Sequence, residues 1–153
     1  MNRETIYAAM FAKFAGITFT SGNNSAFNLT SRKLKHWDDV TLEQYPCLFQ
    51  IQTKERNVQP RGMPQKWTLD ILLYVYVNTG AQNDPSITPS SLLNPILDAI
   101  DGVLGFDDGK AGALSLGGLV SNVSITGDIE TSEGNLGDLE IAVIPISIVV
   151  PSL

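Results

Sequence analysis

With 153 residues, 43% of them hydrophobic and 17% charged, the chain is globular and long enough to bury one core. A net charge of -6 and a pI near 4.6 argue against a protein built mainly to hold phosphate. No apolar run approaches the roughly eighteen residues of a membrane helix. One cysteine, Cys47, excludes an intramolecular disulfide and suits a reducing cytoplasm.

The charge is unevenly spread. Residues 1–66 hold nine basic and five acidic side chains, whereas residues 67–153 hold one basic residue, Lys110, against eleven acids. A low charge content favours a protein that buries surface in an assembly, and the split either lets one copy's basic part meet a neighbour's acidic part or leaves one surface strongly negative.

In chain order, the first segment is a predicted helix. Asn2 is its N-cap and Glu4 suits its first turn. Ile6, Met10 and Phe14 recur every four residues beside Tyr7 and Phe11, and Gly16 offers the stop. "TFTSGNNSAFNLTS" (17–30) reads as a loop or hairpin tip. The sequons at Asn23, Asn28 and Asn122 carry little weight without a secretory signal, and the charged N-terminal helix is not one.

"SRKLKHWDDV" (31–40) is expected to be a strand and its exit turn, with Arg32, His36 and Asp38 on one face and Lys33, Lys35 and Trp37 on the other. "CLFQIQTKERNVQ" starts as a buried strand and turns polar, and "QPRGMP" is a turn. In "KWTLDILLYVYV", Trp67, Leu69, Ile71, Leu73, Val75 and Val77 share one face. The other face begins with Thr68 and Asp70 and ends with Leu72, Tyr74 and Tyr76. This strand is half-buried at one end and covered on both sides at the other.

A long loop, 78–91, is a candidate contact loop or arm. The second helix follows, with Asn94 as the expected cap, Pro95 at its first position, and Leu92, Ile96, Ala99, Ile100, Val103 and Leu104 as its core stripe. After a turn-rich stretch, "LVSNVSITGDIE" and "LEIAVIPISIVV" are two closing strands. Pro145 removes a ladder donor and points to an edge or a bulge. The order is α-β-β-β-α-β-β in one domain: an α+β fold, a mostly antiparallel sheet of about five strands with two main helices packed on it.

Chemistry is sparse in this sequence. His36 is the only imidazole, so a two-histidine metal site is impossible and any triad must use it. The nearest approach to a nucleophile elbow, Gly112 to Gly117 around Ser115, has one residue too many. "GFDDGKA" lacks the spacing and hydroxyl of a phosphate loop, and Asp107 and Asp108 lack the ligand spacing of a calcium loop. Arg32, Lys33, Lys35, Lys54, Arg56, Arg61 and Lys66 would make a phosphate-binding set if the strands gathered them. The same residues also read as a polar strand face or, with Trp37, as a subunit contact.

Taken together, "NRETIYAAMFAKF", "SRKLKHWDDV" leading to "YPCLF", "QPRGMPQKWTLDILLYVYV", "SSLLNPILDAID", "LGGLV" and "GDIETSEGNLGDLEIAVIPISIVVP" resemble the tail terminator (minor tail) proteins of long-tailed bacteriophages. The resemblance runs in order from residue 2 to 151, with 17–30 contributing least. It implies a small α+β virion protein, assembled in the host cytoplasm, that closes into a hexameric ring on the head-proximal end of the tail tube. Such a ring ends tube growth and docks the head–tail connector. The implied partners are further copies of the chain, the tail-tube protein and the connector, with DNA only passing through the lumen and no membrane. Neither catalysis nor a cofactor is implied. On this reading Arg32, Lys33, Lys35, Trp37, Arg56 and Arg61 are expected at subunit or partner interfaces. Asp98, Asp101, Asp128 and Glu130 are candidates for an acidic lumen. The alternatives are a neck or head–tail connector component and a small nucleic-acid-binding protein.

Overall fold

A computed structural model describes residues 1–19, 25–81, 84–107, 110–111, 114–133 and 137–151. Asn23, Asp108, Gly109, Gly112 and part of the 17–30 and 78–91 loops lie outside the described residues.

Helix α1 (Arg3–Ala15) forms as its sequence dictates. The Asn2 side chain accepts a hydrogen bond from the Thr5 amide at 3.1 Å, and Ile6, Tyr7, Met10 and Phe14 are buried. Strand β1 (Leu29–Ser31) follows, then two single 3-10 turns, Trp37–Asp39 and Leu42–Gln44. Two long strands, β2 (Cys47–Val58) and β3 (Lys66–Asn78), pair as a hairpin, with an irregularity at Thr53 whose hydroxyl donates to the Asp70 carbonyl. Helix α2 (Pro89–Leu104) and a minimal hairpin of β4 (Phe106–Asp107) and β5 (Lys110–Ala111) come next. Strands β6 (Asn122–Ile125), β7 (Glu130–Thr131) and β8 (Leu139–Val150) close the fold.

The main sheet runs β1-β2-β3-β8-β6, with β7 pairing further along the same strand β8. Among the described residues, the β1–β2 pair alone is parallel. The α+β architecture expected from the sequence is the one observed.

Three local expectations are corrected. First, 31–40 is not a strand: Ser31 ends β1, and the rest is irregular. The Ser31 hydroxyl accepts from the Lys33 amide at 2.9 Å, and the His36 ring nitrogen Nδ1 accepts from the Asp38 amide at 3.2 Å. These local bonds take backbone donors that a ladder would need. Second, α2 starts well before Asn94. Thr88 caps it through the Ser91 amide, Pro89 occupies the first turn, and Pro95 lies inside the helix. An earlier cap with a proline in place outcompetes a later one, and one missing donor at Pro95 is tolerated because Ile96 and Ile100 are buried. The buried stripe accordingly includes Leu93, with Leu92 only half-buried. Third, the penultimate strand is split into β6 and β7. The Thr126 amide donates to the Pro145 carbonyl, so the missing donor of Pro145 faces this gap in the flanking strand.

Register divides the sheet's side chains between two faces. On one face Leu69, Ile71, Leu73, Val75 and Val77 of β3 meet Ala142, Ile144, Ile146 and Ile148 of β8, under Met10 and Phe14 of α1 and Leu93, Ile96 and Ile100 of α2. Each such buried aliphatic side chain contributes about 1.5–3 kcal/mol before chain entropy is charged against it. Near this core Leu116 adopts φ 52 and keeps its side chain buried, with Gly117 and Gly118 continuing the left-handed backbone.

Candidate interaction surface

Neither α1 nor α2 packs on the opposite face. At one end, a second cluster of Val40, Tyr45, Cys47, Phe49, Tyr76 and Leu139 is roofed by the segment after β1. The Tyr76 hydroxyl donates to the Lys35 carbonyl at 2.9 Å, and the Tyr45 hydroxyl donates to the Trp37 carbonyl at 3.2 Å. Trp37 is half-buried against this cluster. The charged stretch 31–40 is therefore a lid held by its carbonyls, with Lys33, Lys35 and His36 left in solvent. Burial pushes the Cys47 thiol up to about 12, which makes it an inert core group.

Beyond the lid, Ile51, Leu72, Tyr74, Val143, Pro145 and Val149 are half-buried on a bare sheet. Among them lies a polar knot. Ser147 donates its hydroxyl to the Asp70 carboxylate at 2.9 Å, and the Arg56 guanidinium reaches the same carboxylate at 3.2 Å. Asp70 is buried to the edge of accessibility, so these two donors replace the water it gives up.

The second feature is the outer half of β2. Strand β1 pairs only with Cys47–Phe49, and every residue from 52 to 66 is exposed. Arg3 and Tyr7 of α1 hold Glu55 at 2.7 and 3.1 Å, with the Arg3 guanidinium 4.9 Å above the centre of the Trp67 ring. Burial, with the Glu55 charge, pushes the Tyr7 phenol up to about 12. Lys54, Arg61 and Lys66 have no ion-pair partner among the described residues.

The candidate residues thus separate. Arg32 forms a two-point ion pair with Glu4 within the chain, and its hydrogen bond lowers the Glu4 pKa. It is not free for a neighbour in the way Lys33 is. Arg56 is committed to Asp70, while Arg61 projects from the β2–β3 turn. Three cations of the proposed phosphate-binding set or its surroundings, Arg3, Arg32 and Arg56, are each neutralised internally, which disperses the set. Asp98 and Asp101 lie on the exposed side of α2, over one sheet face. Glu130 is in register with Val143, on the other face, and Asp128 precedes it at the sheet edge.

The Asp70 knot was hidden in the sequence. Alternation of Thr68 and Asp70 opposite Lys54 and Arg56 signals a polar strand face, but the register that brings Ser147 to Asp70 joins residues 77 apart. The 17–30 stretch, expected to be a loop or hairpin tip, has Ile17, Ala26 and Phe27 buried among its described residues.

Among the described residues, no group of three or more His, Cys, Asp or Glu is placed to hold a metal, and no helix is long and apolar enough to cross a membrane. An apolar cavity of about 380 Å³ lies between Phe19, Leu42, Tyr45, Pro95 and Ile96, without a charged group in its lining. No protein-family model matches the chain, and no curated protein matches it.

Proposed function

We propose that the chain is a structural virion protein of a long-tailed phage, forming a ring that caps the head-proximal end of the tail tube and docks the head connector. The bare sheet face carries this reading. Leu72, Tyr74, Val143 and Pro145 are half-buried on a face that the described residues roof only at one end. A half-apolar face of this kind gains by packing on a partner. The resemblance to tail terminators names the partners: copies of the same chain, then the last ring of the tube protein. Internal neutralisation of Arg32 and Arg56 disfavours the nucleic-acid alternative, since each paired guanidinium releases fewer counterions on binding phosphate.

The test is the mass of the purified protein by light scattering, alone and mixed with tail-tube protein. We expect about six subunits in a closed ring, or assembly on tube ends with elongation blocked. A monomer that ignores tube protein but binds a portal-side ring would replace this reading with the connector one.

A further inference from the structure

Among the described residues, no strand pairs with either outer edge of the main sheet along the outer half of β2 or along β6 and β7, and these edges differ in charge. One edge is the outer half of β2, which lacks a ladder partner beyond Phe49. It carries Lys54, and the adjoining turn carries Arg61, with Lys66 at the start of β3, all without ion-pair partners among the described residues. The other edge is made by β6, the 126–129 connection and β7. It carries Asp128, Glu130 and, just beyond, Glu133, also unpaired. Each edge bears an exposed apolar side chain beside its charges: Val58 (57%) on the basic one and Ile129 (38%), between Asp128 and Glu130, on the acidic one.

From this we infer that the occupant of the β2 edge is the β6–β7 edge of a second copy of the chain, joined head to tail. Charge decides the sense of the contact. Joining two copies through the same edge would set Lys54 and Arg61 against themselves, or Asp128 and Glu130 against themselves, and like charges directly opposite are destabilising. Joining unlike edges sets Lys54 and Arg61 against Asp128 and Glu130 and covers the exposed Val58 and Ile129. It also gives open backbone donors and acceptors on both strands a ladder to complete. A contact between two different patches leaves one of each unused, so it repeats until rotation closes a ring or a filament grows. The inference rests on the ring reading for closure, not for the pairing itself. It assigns Asp128 and Glu130 to the subunit contact and leaves Asp98 and Asp101 for a lumen.

Sedimentation velocity over a concentration series tests it. Lys54→Glu with Arg61→Glu is expected to weaken self-association about tenfold or more, as is Asp128→Lys with Glu130→Lys. Mixing the two variants, or combining all four changes in one chain, is expected to restore it. These side chains are exposed, and melting curves confirm that each variant folds. Failure of the swapped variant to recover, or a wild-type chain that stays monomeric at the highest attainable concentration, overturns the inference. A monomeric wild-type chain that still caps tubes would remove this interface and keep the terminator reading. An edge-dependent oligomer that leaves tubes growing would do the reverse.

Discussion

Ile71 and Leu72 are adjacent on β3 and meet two different environments. Ile71 is buried under α1 and α2, in register with Ile146, while Leu72 lies half-buried beside Pro145 on the face without helices. The same contrast runs the length of the sheet. One face is a finished interior, apolar from Leu69 to Val77. The other changes from a roofed end at Tyr76 to a bare middle at Leu72 and Tyr74 and a polar knot at Asp70. The difference shows where folding of one chain ends and where assembly takes over. A sheet apolar on both faces asks for two covering layers, and this chain supplies one and part of a second.

The largest effect should come from exchanging those two neighbours for alanine. Ile71→Ala opens a cavity in a closed core and is expected to cost about 2–5 kcal/mol, read as a lower denaturant midpoint with an unchanged slope. Leu72→Ala should cost the monomer less than half as much, because water already reaches the site. It should instead weaken association. Equal losses of monomer stability at the two positions would mean that the bare face is as closed as the covered one, and the contrast would fail.

Much of this contrast was legible in the sequence. Period-two alternation in "KWTLDILLYVYV" named the inner face residue by residue, and the Asn2 cap and four-residue spacing named α1. Such signals are local. What escaped depends on contacts between distant residues or on competition between equally local signals. Thr88 with Pro89 and Asn94 with Pro95 are both sound helix starts, and the helix uses the earlier one, which brings Leu93 into the core. The stretch 31–40 has no strong period. Its path is fixed by Tyr45 and Tyr76 reaching its carbonyls from other elements. The candidate interface residues came from charge and aromatic content alone, so the sequence could not separate Arg32 and Arg56, which are paired internally, from Arg61 and Lys54, which have no ion-pair partner among the described residues.

A smaller effect sharpens the comparison from the covered side. Glu140 is in register with Val77, so its carboxyl is buried beneath the first turn of α2 and accepts from the Ser90 hydroxyl at 3.0 and 3.2 Å. Burial raises its pKa above the ordinary 4.5, the Ser90 bond opposes the rise, and the Glu133 charge adds to it. The folded state therefore holds this proton more tightly than the unfolded chain does. Its contribution is complete below pH 4.5 and is lost as pH rises through the raised value. Glu140→Gln keeps an acceptor for Ser90 and cannot ionise. Its melting temperature relative to wild type should rise with pH across that window and then level off. A difference that stays flat with pH would show that Glu140 ionises there as it does in the unfolded chain.

The smallest effect belongs to the most conspicuous ion pair. Arg32 and Glu4 join the start of the lid to α1, and both remain in contact with solvent. An exposed pair of this kind trades hydration and side-chain freedom for attraction that salt screens, and the balance is close to zero. Arg32→Ala and Glu4→Ala should therefore leave the melting temperature unmoved, singly and together, with no coupling in a double-mutant cycle. Lys33, two positions beyond the strand end and without a partner among the described residues, should behave differently. Lys33→Glu should weaken association while Arg32→Ala leaves it intact, because a guanidinium already held by Glu4 must give up that bond before it can serve a neighbour. The reverse ranking would mean that the Glu4 pair opens on assembly, and that Arg32 is exchanged between α1 and the next subunit.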